Sequence, residues 1–181
     1  MKTVFFDVDT QIDFMFPSGA LYVPGAETIL ERVAALNQYA ASNGIPLIST
    51  MDAHAEDDPE FQVYPHHCVA GTLGQRKPAS TLVGQIFVEK QKLDCFSNPD
   101  LPGLLERLGA ERYVVYGVVT EICVKLAAMG LLKTGGRVEI VTDAVRSLSN
   151  AAAEKMFAEF RAAGGFLTQG SAILSQGPAT T

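Results

Sequence analysis

The sequence predicts an α/β fold, a single domain whose doubly wound, mostly parallel six-stranded sheet carries helices on both faces. Short runs of β-branched and aromatic residues alternate along the chain with longer segments of helical periodicity. The run from 113 to 119 is almost continuously apolar, which is typical of a parallel strand covered on both sides. With 181 residues, of which 48% are hydrophobic, the chain is long enough to bury one sizeable core.

Each element is predicted from its local pattern. Strands are predicted at 3–9, 46–50, 85–89, 112–119, 137–142 and 166–168, and helices at 26–42, 101–108, 121–133 and 150–163. In the first helix, apolar residues recur at helical spacing from Ile29 to Ala40, and Asn43-Gly44 marks its end. Asn150 is expected to cap the last helix, which Gly164-Gly165 ends.

The domain is expected to span residues 1–170, with 171–181 as a flexible tail. One long irregular stretch, 51–84, is rich in Pro, Gly, His and acidic residues. Long loops inside compact domains are usually functional or disordered. This stretch is therefore a candidate site loop.

Charge and cysteine content restrict the partners and the setting. The net charge of −6 comes without a basic run, which disfavours nucleic acid and anionic membranes as partners. The amino terminus lacks the apolar region of a signal peptide, and no stretch approaches a membrane span. Cys68, Cys95 and Cys123 have neither the even number nor the spacing of a disulfide framework. We expect a reducing, cytoplasmic setting.

Cys123 is the first candidate for chemistry. It ends the segment Gly117-Val118-Val119-Thr120-Glu121-Ile122-Cys123, which closes a predicted strand and opens a helix. Open α/β sheets place their ligand crevices at this edge. Unpaired amides and the helix dipole would hold the thiol partly as thiolate and stabilise an oxyanion. A lone cysteine in an apolar stretch is also commonly a small buried hydrophobe, so the segment alone leaves both readings open.

Asp9 and Lys90 follow two other predicted strands. Alone, the acids Asp7, Asp9 and Asp13 are more simply read as loop caps, and Lys90 and Lys92 as surface charge. The ends of parallel strands, however, share one edge of the sheet, so Asp9, Lys90 and Cys123 can meet in a single crevice. There a carboxylate would take the thiol proton, a lysine would orient the charged pair, and the thiolate would attack a carbonyl.

The loop from 51 to 84 holds a candidate metal site. Asp52 and His54 are two residues apart just past a strand, so they can point the same way, and Glu60, His66 and His67 follow. Carboxylate and imidazole ligands suit a divalent ion, zinc first, with iron or manganese as alternatives. Solvated loop side chains are the competing interpretation.

These motifs resemble the isochorismatase-like cysteine hydrolases, and among them the nicotinamidases, from residue 4 to about residue 166. The segment from Asp9 to Phe14 resembles the family's Asp-x-Gln-x-Asp-Phe, and Gly117 to Cys123 its Gly-x-x-Thr-[Asp/Glu]-x-Cys nucleophile motif. Lys90, six residues before Phe96, resembles the catalytic lysine, whereas Lys92 is out of register.

The resemblance implies a role for each candidate residue. Asp9, Lys90 and Cys123 would be catalytic, the Val118 to Val119 peptide would be cis, and the amides of Val119 and Cys123 would form the oxyanion hole. Asp52, His54, Glu60 and His67 would bind the metal, leaving His66 a bystander. Phe14, Tyr64, Leu93 and Val118 would line the substrate pocket. In nicotinamidases the metal binds the pyridine nitrogen and turns the carboxamide toward the thiol.

The implied activity is hydrolysis of nicotinamide to nicotinate and ammonia through a cysteine thioester, in a homodimer or homotetramer. Three places depart from the family pattern. Asp52-Ala53-His54 stands where the family often has Asp-Trp-His, Leu93-Asp94-Cys95 replaces a stretch with a pocket tyrosine, and Ile122 replaces a commonly polar or aromatic residue. Two alternatives therefore stay open. One is a related hydrolase of another carboxamide or an isochorismate-like substrate, and the other is a non-catalytic binding protein of the same fold.

Overall fold

A computed structural model of the chain describes residues 1–176. One sheet contains all six strands in the order β3-β2-β1-β4-β5-β6, and every pairing is parallel. The strands are β1 (Thr3–Val8), β2 (Leu47–Asp52), β3 (Ile86–Lys90), β4 (Arg112–Val118), β5 (Arg137–Arg146) and β6 (Phe166–Thr168). The predicted α/β class and the six-stranded sheet are thus confirmed.

Helices cover the sheet in two layers. They are α1 (Ile12–Met15), α2 (Leu30–Ser42), α3 (Leu101–Leu108), α4 (Lys125–Leu132), α5 (Asn150–Ala162) and α6 (Gly170–Leu174). Helix α2 packs with α6, and α4 packs with α5. The core between these layers and the sheet includes fully buried Phe6, Tyr113 and Phe160. None of the helices within residues 1–176 has the length and apolar character needed to cross a membrane.

Three strands run past their predicted ends. Strand β2 continues to Asp52 and β3 to Lys90, and these two residues are register partners. Strand β5 resumes its pairing with β4 after a register shift and ends at Arg146. Polar residues at these strand ends interrupt the apolar pattern on which the prediction depends. The extensions place Asp52 and Lys90 side by side on the sheet.

Several helix boundaries also differ from the prediction. The first helix begins as a 3₁₀ turn, Ala26–Ile29, and α5 is capped by Ser149, whose side chain accepts the amide of Ala152 at 3.2 Å, not by Asn150. The segment after β4 is a single π turn, Thr120–Val124, followed by α4. Helix α1 is only 4 residues long, too short for a periodic signal.

The predicted flexible tail, 171–181, begins inside a helix. Helix α6 buries Ile173, and the carbonyl of Gln176 accepts a hydrogen bond from the Tyr39 hydroxyl at 2.6 Å. The tail boundary at 171 is therefore placed too early, because a five-residue helix gives little signal in sequence. Residues 177–181 lie outside the described part of the chain.

Candidate active site

The candidate residues collect at the carboxyl edge of the sheet, beside the point where the strand order reverses. Strand β1 is followed in space by β2 on one side and β4 on the other. The loops after β1 and β4 therefore diverge and leave a crevice between them. Asp9 comes directly after β1, and Cys123 comes shortly after β4.

Asp9 sits in a left-handed turn that ends β1, with φ 51°. Its amide donates to the carbonyl of Thr50 at 3.1 Å, and its own carbonyl accepts the amide of Gln11 at 2.8 Å. The Thr50 hydroxyl also donates to Asp9 Oδ1 at 2.6 Å. A non-glycine residue in this conformation needs its surroundings to hold it, and such positions cluster at functional sites. The turn leaves Oδ2 of Asp9 for Lys90.

The structure brings Asp9, Lys90 and Cys123 together. Lys90 Nζ lies 2.8 Å from Asp9 Oδ2 and 3.9 Å from Cys123 Sγ, and it also bonds Asp52 Oδ1. The Lys90 side chain is completely buried. A buried ammonium must be paired, and here two carboxylates neutralise it. The cluster brings a carboxylate, an ammonium group and a thiol within contact distance.

The buried cluster determines which groups carry protons. Burial raises the pKa of the Cys123 thiol well above its usual range, and the Asp9 charge adds to the effect while Lys90 opposes it. Burial raises the pKa of Asp9 too, against the charge of Lys90. Burial alone would lower the pKa of Lys90, but the charges of the Asp9 and Asp52 carboxylates hold it well above the usual range. The expectation that Cys123 rests partly as thiolate is therefore wrong, because burial outweighs the helix end; the thiol needs a base.

The turn between β4 and α4, which carries Cys123, is shaped by Gly117 and Val119. Gly117 has φ 118°, and a Cβ on it would lie 2.1 Å from the carbonyl oxygen of Val8 on β1. The Val118–Val119 peptide is cis. The Val119 carbonyl accepts the amides of Ile122 at 3.0 Å and Val124 at 3.1 Å. π turns of this kind are frequent at functional sites. The amides of Val119 and Cys123, the expected oxyanion hole, flank this anchored carbonyl.

Asp52, His54 and His67 form a compact donor cluster next to Lys90. The Nε2 atoms of His54 and His67 lie 3.7 and 3.8 Å from Asp52 Oδ2, and all three side chains are buried. Glu60 stands at the rim, with Oε1 4.0 Å from His67 Nε2. His66 is exposed and stacks on Phe61 at 4.2 Å between ring centroids. The structure thus separates His66 from the cluster.

The donor set fits a divalent metal ion. His54 Nδ1 is held by Asp58 at 2.9 Å, and His67 Nδ1 by the carbonyl of Pro65 at 2.7 Å. His54 Nε2 has no hydrogen-bond partner although it is buried, which is unusual unless a ligand completes it. Two imidazoles oriented by such partners, with a carboxylate, are the chemistry that zinc prefers. The nearby Asp52 carboxylate raises the pKa of His54 to about 9 although burial opposes it, so a bound cation would displace a proton.

Asp52 joins the two halves of the site, and Gln11 holds it in place. One Asp52 oxygen faces Lys90, and the other faces the imidazoles. The Gln11 side chain accepts the Asp52 amide at 2.7 Å and donates to the Asp52 carbonyl at 2.8 Å. It donates to the carbonyl of Gln75 as well, at 2.8 Å. The sequence analysis assigned no role to Gln11 or Asp58. The available signal for Gln11 was its position in the motif from Asp9 to Phe14.

A pocket of about 420 Å³, its open mouth included, connects the thiol to the donor cluster. Its lining contains the four expected pocket residues together with acids, a histidine and further aliphatic side chains. The lining residues are Asp9, Phe14, Leu21, Asp52, Glu60, Tyr64, His67, Leu93, Val118, Val119, Ile122 and Cys123. Tyr64 and Leu93 are each 38% exposed and stand at the mouth. Leu21 was not anticipated from the sequence.

Two kinds of comparison place this fold and site among known proteins. The nicotinamidase of Saccharomyces cerevisiae is 26% identical over an alignment of 200 positions, which covers 83% of this chain and 90% of that protein. The pyrazinamidase of Pyrococcus horikoshii, solved in complex with zinc, superimposes with a TM-score of 0.88 at 27% identity, covering 93% of this chain and 99% of that one. PnC1 of L. infantum, solved in complex with nicotinate, gives 0.83 at 29% identity over 94% and 93% of the two chains.

The family assignment follows from the extent of the match. The Isochorismatase domain family matches residues 3–171, which include every strand and every candidate site residue. Because a match of that extent comes with the same fold, this protein belongs to the isochorismatase family of hydrolases.

Proposed function

We propose that the protein is an amidohydrolase that converts nicotinamide to nicotinate and ammonia through a thioester on Cys123. The observation that carries the proposal is the junction of two clusters in one pocket. Asp9, Lys90 and Cys123 lie in contact. Asp52 links Lys90 to the two histidines of the donor cluster, His54 and His67. Relatives named nicotinamidase and pyrazinamidase support the substrate class.

The chemistry begins with the protonated thiol. Asp9 takes the proton from Cys123 as the thiolate attacks the carboxamide carbon, and the carbonyl oxygen becomes an oxyanion. The backbone amides of Val119 and Cys123 are assigned to stabilise that oxyanion. Asp9 returns the proton to the leaving nitrogen, and ammonia departs. A water molecule then gives one proton to Asp9 and attacks the thioester. Asp9 passes that proton to the departing sulfur, which regenerates the thiol, and the released acid ionises by losing its remaining proton to solvent.

Lys90 has two tasks in this scheme. Its ammonium keeps the Asp9 carboxylate oriented at 2.8 Å, and it places positive charge 3.9 Å from the sulfur where the thiolate forms. A positive charge near a developing thiolate lowers the cost of forming it. Because Asp52 also bonds Lys90, the lysine stays charged in the buried site.

The metal would be held by Asp52, His54 and His67, with Glu60 as the fourth protein ligand. A bound zinc, iron or manganese ion would act as a Lewis acid that accepts the pyridine nitrogen and so orients the ring. The protein residues do the remaining positioning. Phe14 packs on His67 at 5.5 Å between ring centroids, and an aromatic ring beside it would gain about 1 kcal/mol from stacking.

The pocket lining favours a neutral substrate. It contains the acids Asp9, Asp52 and Glu60 but neither arginine nor lysine, among the residues that the structure describes. Asp9 and Asp52 already pair Lys90, and Asp52 and Glu60 would offset the charge of a bound metal ion, so a substrate that carries two carboxylates of its own would meet like charges without a further cationic partner, at a cost in binding free energy. A neutral carboxamide avoids this cost. This argument separates nicotinamide from isochorismate-like dianions.

The alternative substrate is another neutral carboxamide. Leu93 and Ile122 line the pocket at positions where the family pattern has other residues, and both are aliphatic. These two side chains would allow the pocket to accept substrates with other rings, while the thiol chemistry stays the same. A non-catalytic binding protein is disfavoured, because it would have no need to keep Lys90 buried between Asp9 and Cys123.

The setting and assembly complete the proposal. Cys68, Cys95 and Cys123 are all unpaired and buried, which supports a reducing cytoplasmic compartment. The resemblance supports a homodimer or homotetramer.

A panel of carboxamides tests the proposed function. The zinc-loaded protein should release ammonia from nicotinamide and pyrazinamide faster than from benzamide, which has the same shape without a ring nitrogen, by about 10-fold or more. Equal rates for nicotinamide and benzamide would contradict the metal-anchored ring. Failure to release ammonia from every member would sink the activity itself.

A further inference from the structure

Asp13 contacts neither the thiol cluster nor the pocket, yet its carboxylate binds two loops of the site. One follows α1, and the other connects β2 to β3. Asp13 itself lies in α1, four residues after Asp9. Its Oδ1 accepts the amide of Ala20 at 3.0 Å, and its Oδ2 accepts the amide of Cys68 at 2.7 Å. Both carboxylate oxygens therefore bind backbone, one from each loop. Such charge-assisted bonds to N–H groups are stronger than neutral ones.

Each of these two amides is one residue away from a pocket residue. His67 precedes Cys68, and Leu21 follows Ala20. Leu21 is fixed a second time, because its amide donates to the Asp13 carbonyl at 3.2 Å. The Asp13 side chain thus fixes the backbone next to His67 and Leu21, whose side chains line the pocket.

The surroundings are fitted to the carboxylate. A Cβ on Gly74 would lie 2.1 Å from Asp13 Oδ2, and a Cβ on Gly19 would lie 2.2 Å from the Asp13 carbonyl oxygen. The Asp13 amide in turn donates to the Gly74 carbonyl at 3.0 Å. Cys68 adopts φ 46°, a conformation that non-glycine residues adopt only when the surroundings enforce it. The bond from its amide to Asp13 is one such constraint.

We propose that Asp13 is a positioning residue that sets metal affinity and substrate binding by fixing His67 and Leu21. The proposal rests on the proposed function for the identity of the metal and the substrate. Asp13 would act through backbone, since it does not reach the reacting atoms. Loss of the carboxylate would let the Cys68 turn relax, and His67 Nε2 would then no longer be held facing Asp52 Oδ2.

The test measures zinc affinity by competition with a chromophoric chelator, together with KM, kcat and Tm. In Asp13→Ala, zinc affinity should fall by about 10-fold to 100-fold, the range found for residues that orient metal ligands. KM for nicotinamide should rise by a larger factor than kcat falls, because the thiol cluster is untouched. Asp13→Asn keeps one acceptor oxygen and should lie between Asp13→Ala and wild type. Glu56→Ala removes an exposed acid from the same loop region and should match wild type.

Several outcomes would overturn the proposal. One is a lower Tm in Asp13→Ala with zinc affinity and KM within about twofold of wild type, which would make the residue merely structural. Should Asp13→Ala fail to fold, Asp13→Asn decides by the same criteria. A wild-type protein that binds zinc but releases no ammonia from nicotinamide refutes the proposed function only, since the zinc affinities of the variants still report on positioning. A wild-type protein that binds none of zinc, iron and manganese refutes both.

Discussion

A second acid–lysine pair lies near the candidate active site, with its acid, Asp7, on β1 two residues before Asp9, and it provides a sharp test of the electrostatics. Lys77 Nζ is 2.8 Å from Asp7 Oδ2, and both side chains are completely buried. Asp7 also accepts the Thr10 hydroxyl at 2.6 Å and the Asn37 side-chain amide at 2.9 Å. Lys77 bonds the Thr10 hydroxyl as well. The carboxylate is therefore paired with Lys77 and without access to water.

Changing Lys77→Met keeps the length of the side chain and removes the charge. Removing one partner of a buried pair costs about 3–5 kcal/mol. Because three neutral donors, Thr10, Asn37 and Ser49, still serve Asp7, we expect the lower end, about 3 kcal/mol. Asp7→Leu should cost a similar amount. The double variant leaves no uncompensated charge, so it should be more stable than the sum of the single losses predicts, by at least about 2 kcal/mol.

Urea unfolding of the four proteins in this cycle gives the coupling energy directly. Lys92→Met, at an exposed lysine after β3, should change the free energy of unfolding by less than about 0.5 kcal/mol and controls for the loss of a charge. Additive losses in the double variant would show that the Asp7 and Lys77 charges do not depend on each other. That result would refute the reasoning used for every buried pair in this molecule, including Asp9 and Lys90.

Three further predictions follow from other contacts. Gly117→Ala should lose at least about 2 kcal/mol in urea unfolding, because the new Cβ meets the neighbouring strand at a positive φ; wild-type stability would contradict the clash. Asp58→Ala, which frees His54 Nδ1, should weaken zinc binding about 10-fold or more in chelator competition, and unchanged affinity would deny Asp58 a role. Burial raises the pKa of Glu139, but bonds to Arg112 outweigh it and leave the pKa below its usual range. Glu139 therefore stabilises the fold fully above the ordinary glutamate pKa of about 4.3. The difference in free energy of unfolding between wild type and Glu139→Gln should shrink as the pH falls through the lowered pKa of Glu139, and a difference that grows toward acid would contradict this prediction.

The order of strands and helices was accessible from sequence because it depends on long apolar patterns. The run from Tyr113 to Val118 is buried on both faces, so its composition alone identifies a central parallel strand. The crevice was accessible for a related reason: parallel strands end at one edge, which brings Asp9 and Lys90 together whatever the intervening loops do. The ends of β2 and β3 were not accessible from the sequence, because Asp52 and Lys90 are polar residues at which the apolar pattern stops.

The partners that orient the site left weaker traces. Asp13 and Gln11 bind backbone groups far away in the chain, and such contacts carry no periodicity. Asp58, four residues after His54, resembles any acidic loop residue until the fold closes. The protonation of Cys123 was misjudged because a helix end is visible in sequence, whereas the depth of burial that raises its pKa is not.

The central claim is that Cys123 is the nucleophile, and the rate of ammonia release from nicotinamide by zinc-loaded Cys123→Ala tests it most directly. Circular dichroism and zinc affinity should match wild type, since the thiol binds neither metal nor backbone in this scheme. The account predicts a loss of at least about 10³-fold in kcat, as expected when a covalent nucleophile is removed. A folded, zinc-loaded Cys123→Ala protein that keeps turnover within about 10-fold of wild type would contradict it.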